Sequence, residues 1–114
     1  LKRYRQLSES LGMDALVEAH SKAEIDVALK SGAKIIGVNN RNLKNFDVDQ
    51  AKSTVLRKFV PAEVIFVSES GIKTPADVKK LKDYSVDAVL IGETMMKSRD
   101  KKAALKELGF EAKI

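Results

Sequence analysis

The sequence predicts an α/β fold: a leading helix, then four strand–helix units with all strands parallel. Three observations carry this. Apolar runs of strand length recur at 15–19, 33–38, 64–67 and 87–91. Between them lie helix-start and helix-stop signals with helical apolar spacing. Each run also ends in a polar or glycine cluster, the pattern of strand ends that carry function in α/β proteins. Strands separated by single helices must be parallel, with right-handed crossovers.

The elements follow in order. Leu1, Tyr4, Leu7 and Leu11 share one face of a helix that Gly12 stops. Ala15 to Ala19 reads as a short strand. Ser21-Lys22-Ala23-Glu24 is a capping-box pattern. It starts a helix through Ile25, Ala28 and Leu29 that ends at Gly32. Ala33 to Val38 is the second strand, running into the polar turn Asn39-Asn40-Arg41-Asn42. A helix from Asp47 or Asp49 follows, with Val48, Ala51, Val55 and Phe59 expected on its buried face and Pro61 closing it. The third strand, Val64 to Val67, is apolar enough to be covered on both faces. It leads through Ser68-Glu69-Ser70-Gly71 to a helix with Thr74 at the N-cap and Pro75 in its first turn. Val78, Leu81 and Tyr84 are expected to face inward. The fourth strand, Asp87 to Ile91, ends at Gly92-Glu93-Thr94. Ser98 can cap a last helix, with Ala104, Leu105 and Leu108 inward and Gly109 at its end.

Four parallel units allow an open, doubly wound sheet or part of an eight-fold (β/α) barrel. Three features favour the barrel. The chain starts on a helix with no strand before it. All four strand ends carry polar groups, where an open sheet concentrates its site at a switch point. Two successive loops, after the third and fourth strands, suit phosphate. The expectation is one domain over 1–114, a partial barrel. The first residue is Leu1, which points to a processed, truncated or partial chain.

Composition narrows the function. The 114 residues contain no cysteine, which excludes disulfides and thiolate chemistry, and the single histidine, His20, argues against a multi-histidine metal site. No apolar run approaches the roughly 18 residues of a membrane span. No signal peptide precedes the first helix, so the cytoplasm is expected. The net charge of +5 comes from scattered lysines, and aromatic residues are only 5%, so no stacking platform for nucleic acid is present. Neither nucleic acid nor membrane is expected as a partner.

The residues able to do chemistry sit at the strand ends. Glu18 interrupts an apolar strand, where a carboxylate is costly unless paired or functional. It reads either as a strand-end glutamate in water or as a general acid or base with a tuned pKa. Asn39 offers a donor and an acceptor to substrate hydroxyls, and Arg41 a fork for an anion. Gly71 lets backbone N–H groups approach a ligand, and an anion at the following helix start is the natural guest. Gly92 repeats the arrangement one strand later. His20 reads as a solvated loop residue, and Met95 and Met96 as packing residues.

Four segments together resemble the indole-3-glycerol-phosphate synthase family: Leu16-Val17-Glu18, Ile35 to Leu43, Val67 to Ile72 and Val89 to Met96. Their order and spacing match strands five to eight of that barrel, its C-terminal half. The resemblance implies that Glu18 is the catalytic glutamate, a general base in ring closure. It implies that Asn39 orients substrate hydroxyls, with Arg41 beside it at the rim. Glu69 would contact the substrate chain. Ser70 and Gly71 would bind its phosphate, joined by Gly92 and Glu93. Glu93 stands where some members carry serine, so that contact would use the backbone N–H. The family reaction closes the pyrrole ring of an anthranilate-derived ribulose phosphate, then loses carbon dioxide and water, in tryptophan biosynthesis. It needs no metal or organic cofactor.

The resemblance also implies catalytic lysines and a glutamate on strands absent from this chain. Lys73 and Lys97 lie beyond strand ends and are not expected to replace them. The chain alone is therefore expected to be inactive, and to pair with a missing N-terminal half or with itself. Alternative readings are a non-catalytic phosphate-binding half-barrel, or another phosphate-binding barrel enzyme such as an isomerase of the same pathway. Glu18 together with the Asn39-Asn40-Arg41 run favours the synthase over the isomerase.

Overall fold

The computed structural model describes residues 15–42, 44–45, 47–49, 51–91, 99–100, 103 and 106–108. Four strands, β1 (Leu16–Glu18), β2 (Ile35–Asn39), β3 (Ile65–Glu69) and β4 (Ala88–Leu90), alternate with helices α1 (Lys22–Lys30), α2 (Ala51–Arg57) and α3 (Pro75–Asp83). The strands pair in sequence order, all parallel. The helix expected over 1–11 lies outside the described residues. Of the last helix, Ala103, Lys106 and Glu107 are helical. Asp100 Oδ1 accepts the Ala103 N–H at 3.0 Å; the expected cap, Ser98, is outside the described set.

Local chemistry sets the helix ends. The Ser21 side chain accepts the Glu24 N–H, and the Glu24 carboxylate accepts the N–H of His20. Gly32 follows α1 at φ 84°, a left-handed stop that glycine takes at no steric cost. At α3 the capping box is complete: Thr74 Oγ1 accepts the Asp77 N–H, while Asp77 Oδ2 accepts the N–H groups of Lys73 and Thr74, both at 3.0 Å.

The strands have period two, so neighbours in register share a face. Val17, Ile36 and Phe66 form one row, with Val38 beyond them, against Ile25, Ala28, Leu56, Val60 and Val64. A second cluster joins Ile72, Val78 and Leu81 to Leu108. The other face carries Leu16, Ile65 and Leu90, each about half exposed. Among the described residues, the third strand is covered by helices on one face only, not on both as its composition suggested. One covered face and, among the described residues, two unpaired edges are what half of a closed barrel presents.

Two helix faces also differ from expectation. Val55 is 53% exposed and Val48 is exposed too; α2 instead turns Ser53, Thr54 and Leu56 inward. The reason is polar: Ser53 hydrogen-bonds Asn40 and Ser68 beneath the helix. Asp49 Oδ1 accepts the Ala51 N–H, which starts the helix after Val48. Tyr84, at the C-cap of α3, is likewise exposed. Among the described residues, no helix is long and apolar enough to cross a membrane.

Phe66 is fully buried, so Phe66→Ala should cost about 3–5 kcal/mol. Val55→Ala, on the exposed face, should change stability by less than about 0.5 kcal/mol. Urea unfolding monitored by circular dichroism measures both. A Val55→Ala loss as large as that of Phe66→Ala would contradict the orientation of α2.

Candidate functional site

Parallel register gathers the polar strand ends. Asn39 of β2 pairs with Glu69 of β3, and Glu69 with Leu90 of β4, on the face away from the helices. Glu18 pairs with Gly37 one row lower on the same face. An open cavity of about 470 Å³ lies at this edge, with Asn39, Arg41, Glu69, Ser70, Gly71 and Lys73 in its wall. Glu18 does not line it, but is close enough to Glu69 to act on that carboxyl. Gly92 and Glu93 lie outside the described residues.

Glu69 is 7% exposed. Its Oε2 is buried, and no N–H or O–H among the described residues donates to it. The Glu18 carboxyl is close enough to act on it. Burial first, then the charge and hydrogen bond of Glu18, push the Glu69 carboxyl above the usual carboxylate range; His20 pulls the other way. His20, expected as a bystander, is thus part of the electrostatics here.

Space for this pair comes from Gly37. A Cβ there would sit 3.0 Å from Glu69 Oε2 and 3.1 Å from Leu16 Cδ1. The bare backbone of β2 lets the Glu69 side chain lie across it toward Glu18. Gly37 was legible only as one small residue in an apolar strand.

The loop after β3 turns sharply. Ser70 has φ 68° and Gly71 φ 75°, both left-handed. A serine there carries a strain of about 1–2 kcal/mol, so its surroundings must hold it. The N–H groups of Lys73, Thr74 and Asp77 are taken up within the capping box of α3.

The loop after β2 folds back on itself. Asn42 N donates to Asp47 O and Asp49 N to Asn40 O, and Arg41 bridges Val48. Asn39 Oδ1 accepts the Arg41 N–H at 2.9 Å, an Asx turn that sets both residues at the rim. Lys73 is among the residues in the cavity wall. Among the described residues, no group of three potential metal ligands comes together.

Fold and site define half of a (β/α)8 barrel with its polar groups at the carboxyl ends of the strands. Residues 1–108 match the family model for indole-3-glycerol phosphate synthase. An indole-3-glycerol phosphate synthase of Lacticaseibacillus casei is 57% identical over 110 residues, covering 94% of this chain and 42% of that protein. One of Leuconostoc mesenteroides subsp. mesenteroides is 52% identical, covering 97% and 42%. The chain belongs to the indole-3-glycerol-phosphate synthase family and spans less than half the length of these relatives. A solved chain described as "Native KDPGal structure" superposes with TM-score 0.68 at 13% identity, over 95% of this chain and 50% of its own. A chain of the Amycolatopsis orientalis BexX/CysO complex gives 0.63 at 15%, over 99% and 52%. At such identities these two establish shared fold alone.

The Glu69 carboxyl gives a pH dependence with a definite sign. The folded state holds its proton more tightly than the unfolded state, so this group adds stability at low pH that is lost as pH rises through the folded value. Glu69→Gln should therefore be more stable than the parent at neutral pH. The gap should close as pH falls below about 4, the ordinary carboxylate range. Denaturation midpoints across pH measure this; a variant less stable than the parent at neutral pH contradicts it. Gly37→Ala should part the two carboxyl groups and lower the Glu69 value, readable by carbon NMR titration.

Proposed function

We propose that this chain forms the phosphate-side half of an indole-3-glycerol-phosphate synthase active site, acting in tryptophan biosynthesis in the cytoplasm. The observation that carries the reading is that Glu69, with Glu18 close to it, lines one cavity together with Asn39 and the Ser70–Gly71 turn, in a chain of this family.

The substrate is an anthranilate-derived ribulose phosphate. Its phosphate sits at Ser70 and Gly71, joined by Gly92 and Glu93 through their backbone. Arg41 lies at the rim, where its guanidinium suits an anion. Asn39 directs the chain hydroxyls by giving one hydrogen bond and taking another. Glu69 contacts the substrate chain. Glu18 acts as the general base of ring closure, close to the Glu69 carboxyl. Decarboxylation and loss of water then complete the indole. Ring closure also needs an acid at the carbonyl oxygen and a cation near the departing carboxylate. The family places those groups on strands one and three.

The partner that supplies them is the N-terminal half of the barrel. It would cover the face bearing Leu16, Ile65 and Leu90 and pair with the open edges of β1 and β4. Pairing with a second copy of this chain is the other way to cover the same surface.

Assay of the 114-residue chain with the anthranilate-derived ribulose phosphate should give no turnover, because a missing acid is worth about 10²–10⁴-fold. Adding a separate chain with strands one to four should restore it, and Glu18→Gln should then lower kcat by about 10²–10⁴-fold. Turnover by the 114-residue chain alone at the rate of the full-length gene product would contradict the proposal.

A further inference from the structure

We infer that Asn40 is a positioning residue for the Ser70–Gly71 turn: its side-chain bond to the Ser70 carbonyl sets the geometry of the anion site. The inference rests on the proposal above that this turn receives the substrate phosphate.

Asn40 follows β2 and continues its helix-facing period after Ile36 and Val38. It is buried at 2% exposure, with Ser53 and Ser68 fully buried beside it. An amide side chain has two donors and room for two acceptors' bonds, and here all are used. Oδ1 accepts the Ser53 N–H at 3.0 Å and the Ser53 hydroxyl at 2.6 Å. Nδ2 donates to Ser68 Oγ at 3.1 Å and to the Ser70 carbonyl at 3.0 Å. A flipped amide would set its NH2 group against the Ser53 N–H, donor against donor. The orientation is therefore fixed, and with it the bond that reaches Ser70.

That bond acts where the backbone needs it. Ser70 sits at φ 68°, a conformation disfavoured for serine. Its N–H reaches Leu90 O at 3.4 Å, a long contact. Its carbonyl is held by Asn40 at the shorter 3.0 Å. The backbone N–H of Asn40 also donates to the Glu69 carbonyl at 2.9 Å. One residue thus grips two successive carbonyls, of Glu69 and Ser70. A carbonyl oxygen facing an anion repels it; these two are engaged with Asn40 and cannot swing toward a phosphate. Ser53 and Ser68 bond the Asn40 amide from the covered side of the sheet and do not touch the turn through their side chains.

The test uses the full-length gene product. Asn40→Ala should raise KM for the anthranilate-derived ribulose phosphate by about tenfold, with kcat changed by less than about threefold, because ground-state and transition-state binding of the phosphate weaken together. Ser53→Ala keeps the bond to Ser70; it should lower Tm and leave KM within about twofold of the parent. An unchanged KM in Asn40→Ala, or an equal rise in Ser53→Ala, overturns the inference. The unsubstituted protein gives a readout that does not depend on a variant folding. Inorganic phosphate at about ten times its Kd should slow exchange of the Asn40 side-chain amide protons by about tenfold, by linkage, with amide shifts at Ser70 and Gly71. Shifts without slowed exchange refute the role of Asn40 and leave the phosphate site standing. No shift at Ser70 or Gly71 at saturating phosphate removes the phosphate site and the inference with it.

Discussion

The in-register parallel pairing of β1 to β4 is the constraint on which everything else depends. Partners across a parallel sheet share a face, so the register Asn39–Glu69–Leu90, one row above Glu18–Gly37, decides which side chains can meet. A slip of one residue in β3 would send Glu69 to the helix side and Ser68 to the cavity. Both the carboxyl pair and the buried serine–asparagine cluster would then be lost. The register is specified strongly because the alternate positions Ile36, Val38 and Phe66 are fully buried against the helices.

The two faces of the sheet treat polar groups differently. On the helix side, Asn40, Ser53 and Ser68 are buried and satisfy one another. A buried polar atom left unpaired there would cost about 1–3 kcal/mol. On the cavity side, Glu69 keeps one buried oxygen with no hydrogen-bond partner among the described residues, and burial with the nearby Glu18 carboxyl raises its pKa. The first arrangement fixes geometry, and the second sets a perturbed carboxyl in the wall of a cavity. Such perturbed groups cluster where chemistry is done.

Much of this was legible in the sequence because it rests on local signals. The four apolar runs, the Ser21 and Thr74 caps and the inward Val78 and Leu81 follow from periodicity and capping chemistry, and the structure has them. The polar strand ends Asn39, Glu69 and Ser70 do line one cavity. What failed was inference about faces whose partners are distant in sequence. The inner face of α2 is polar, since Ser53 bonds a residue thirteen positions earlier, so Val55 was placed inward on hydrophobicity alone. Gly37 matters through a side chain two strands away from Glu18, and no local pattern reports that. Asn40 could have been found: it continues the helix-facing alternation of Ile36 and Val38, and Ser68 does the same after Phe66. A polar residue in such a row asks for a buried partner.

The most direct test of one shared site is a crystal structure of the full-length gene product with a phosphate-bearing substrate analogue. The account predicts the phosphate against the Ser70–Gly71 turn, the analogue's chain hydroxyls on Asn39, and Glu18 and Glu69 in contact with each other beside its reacting ring. An analogue bound elsewhere, or a phosphate at the N-terminus of α3 with Asp77 displaced, would contradict it.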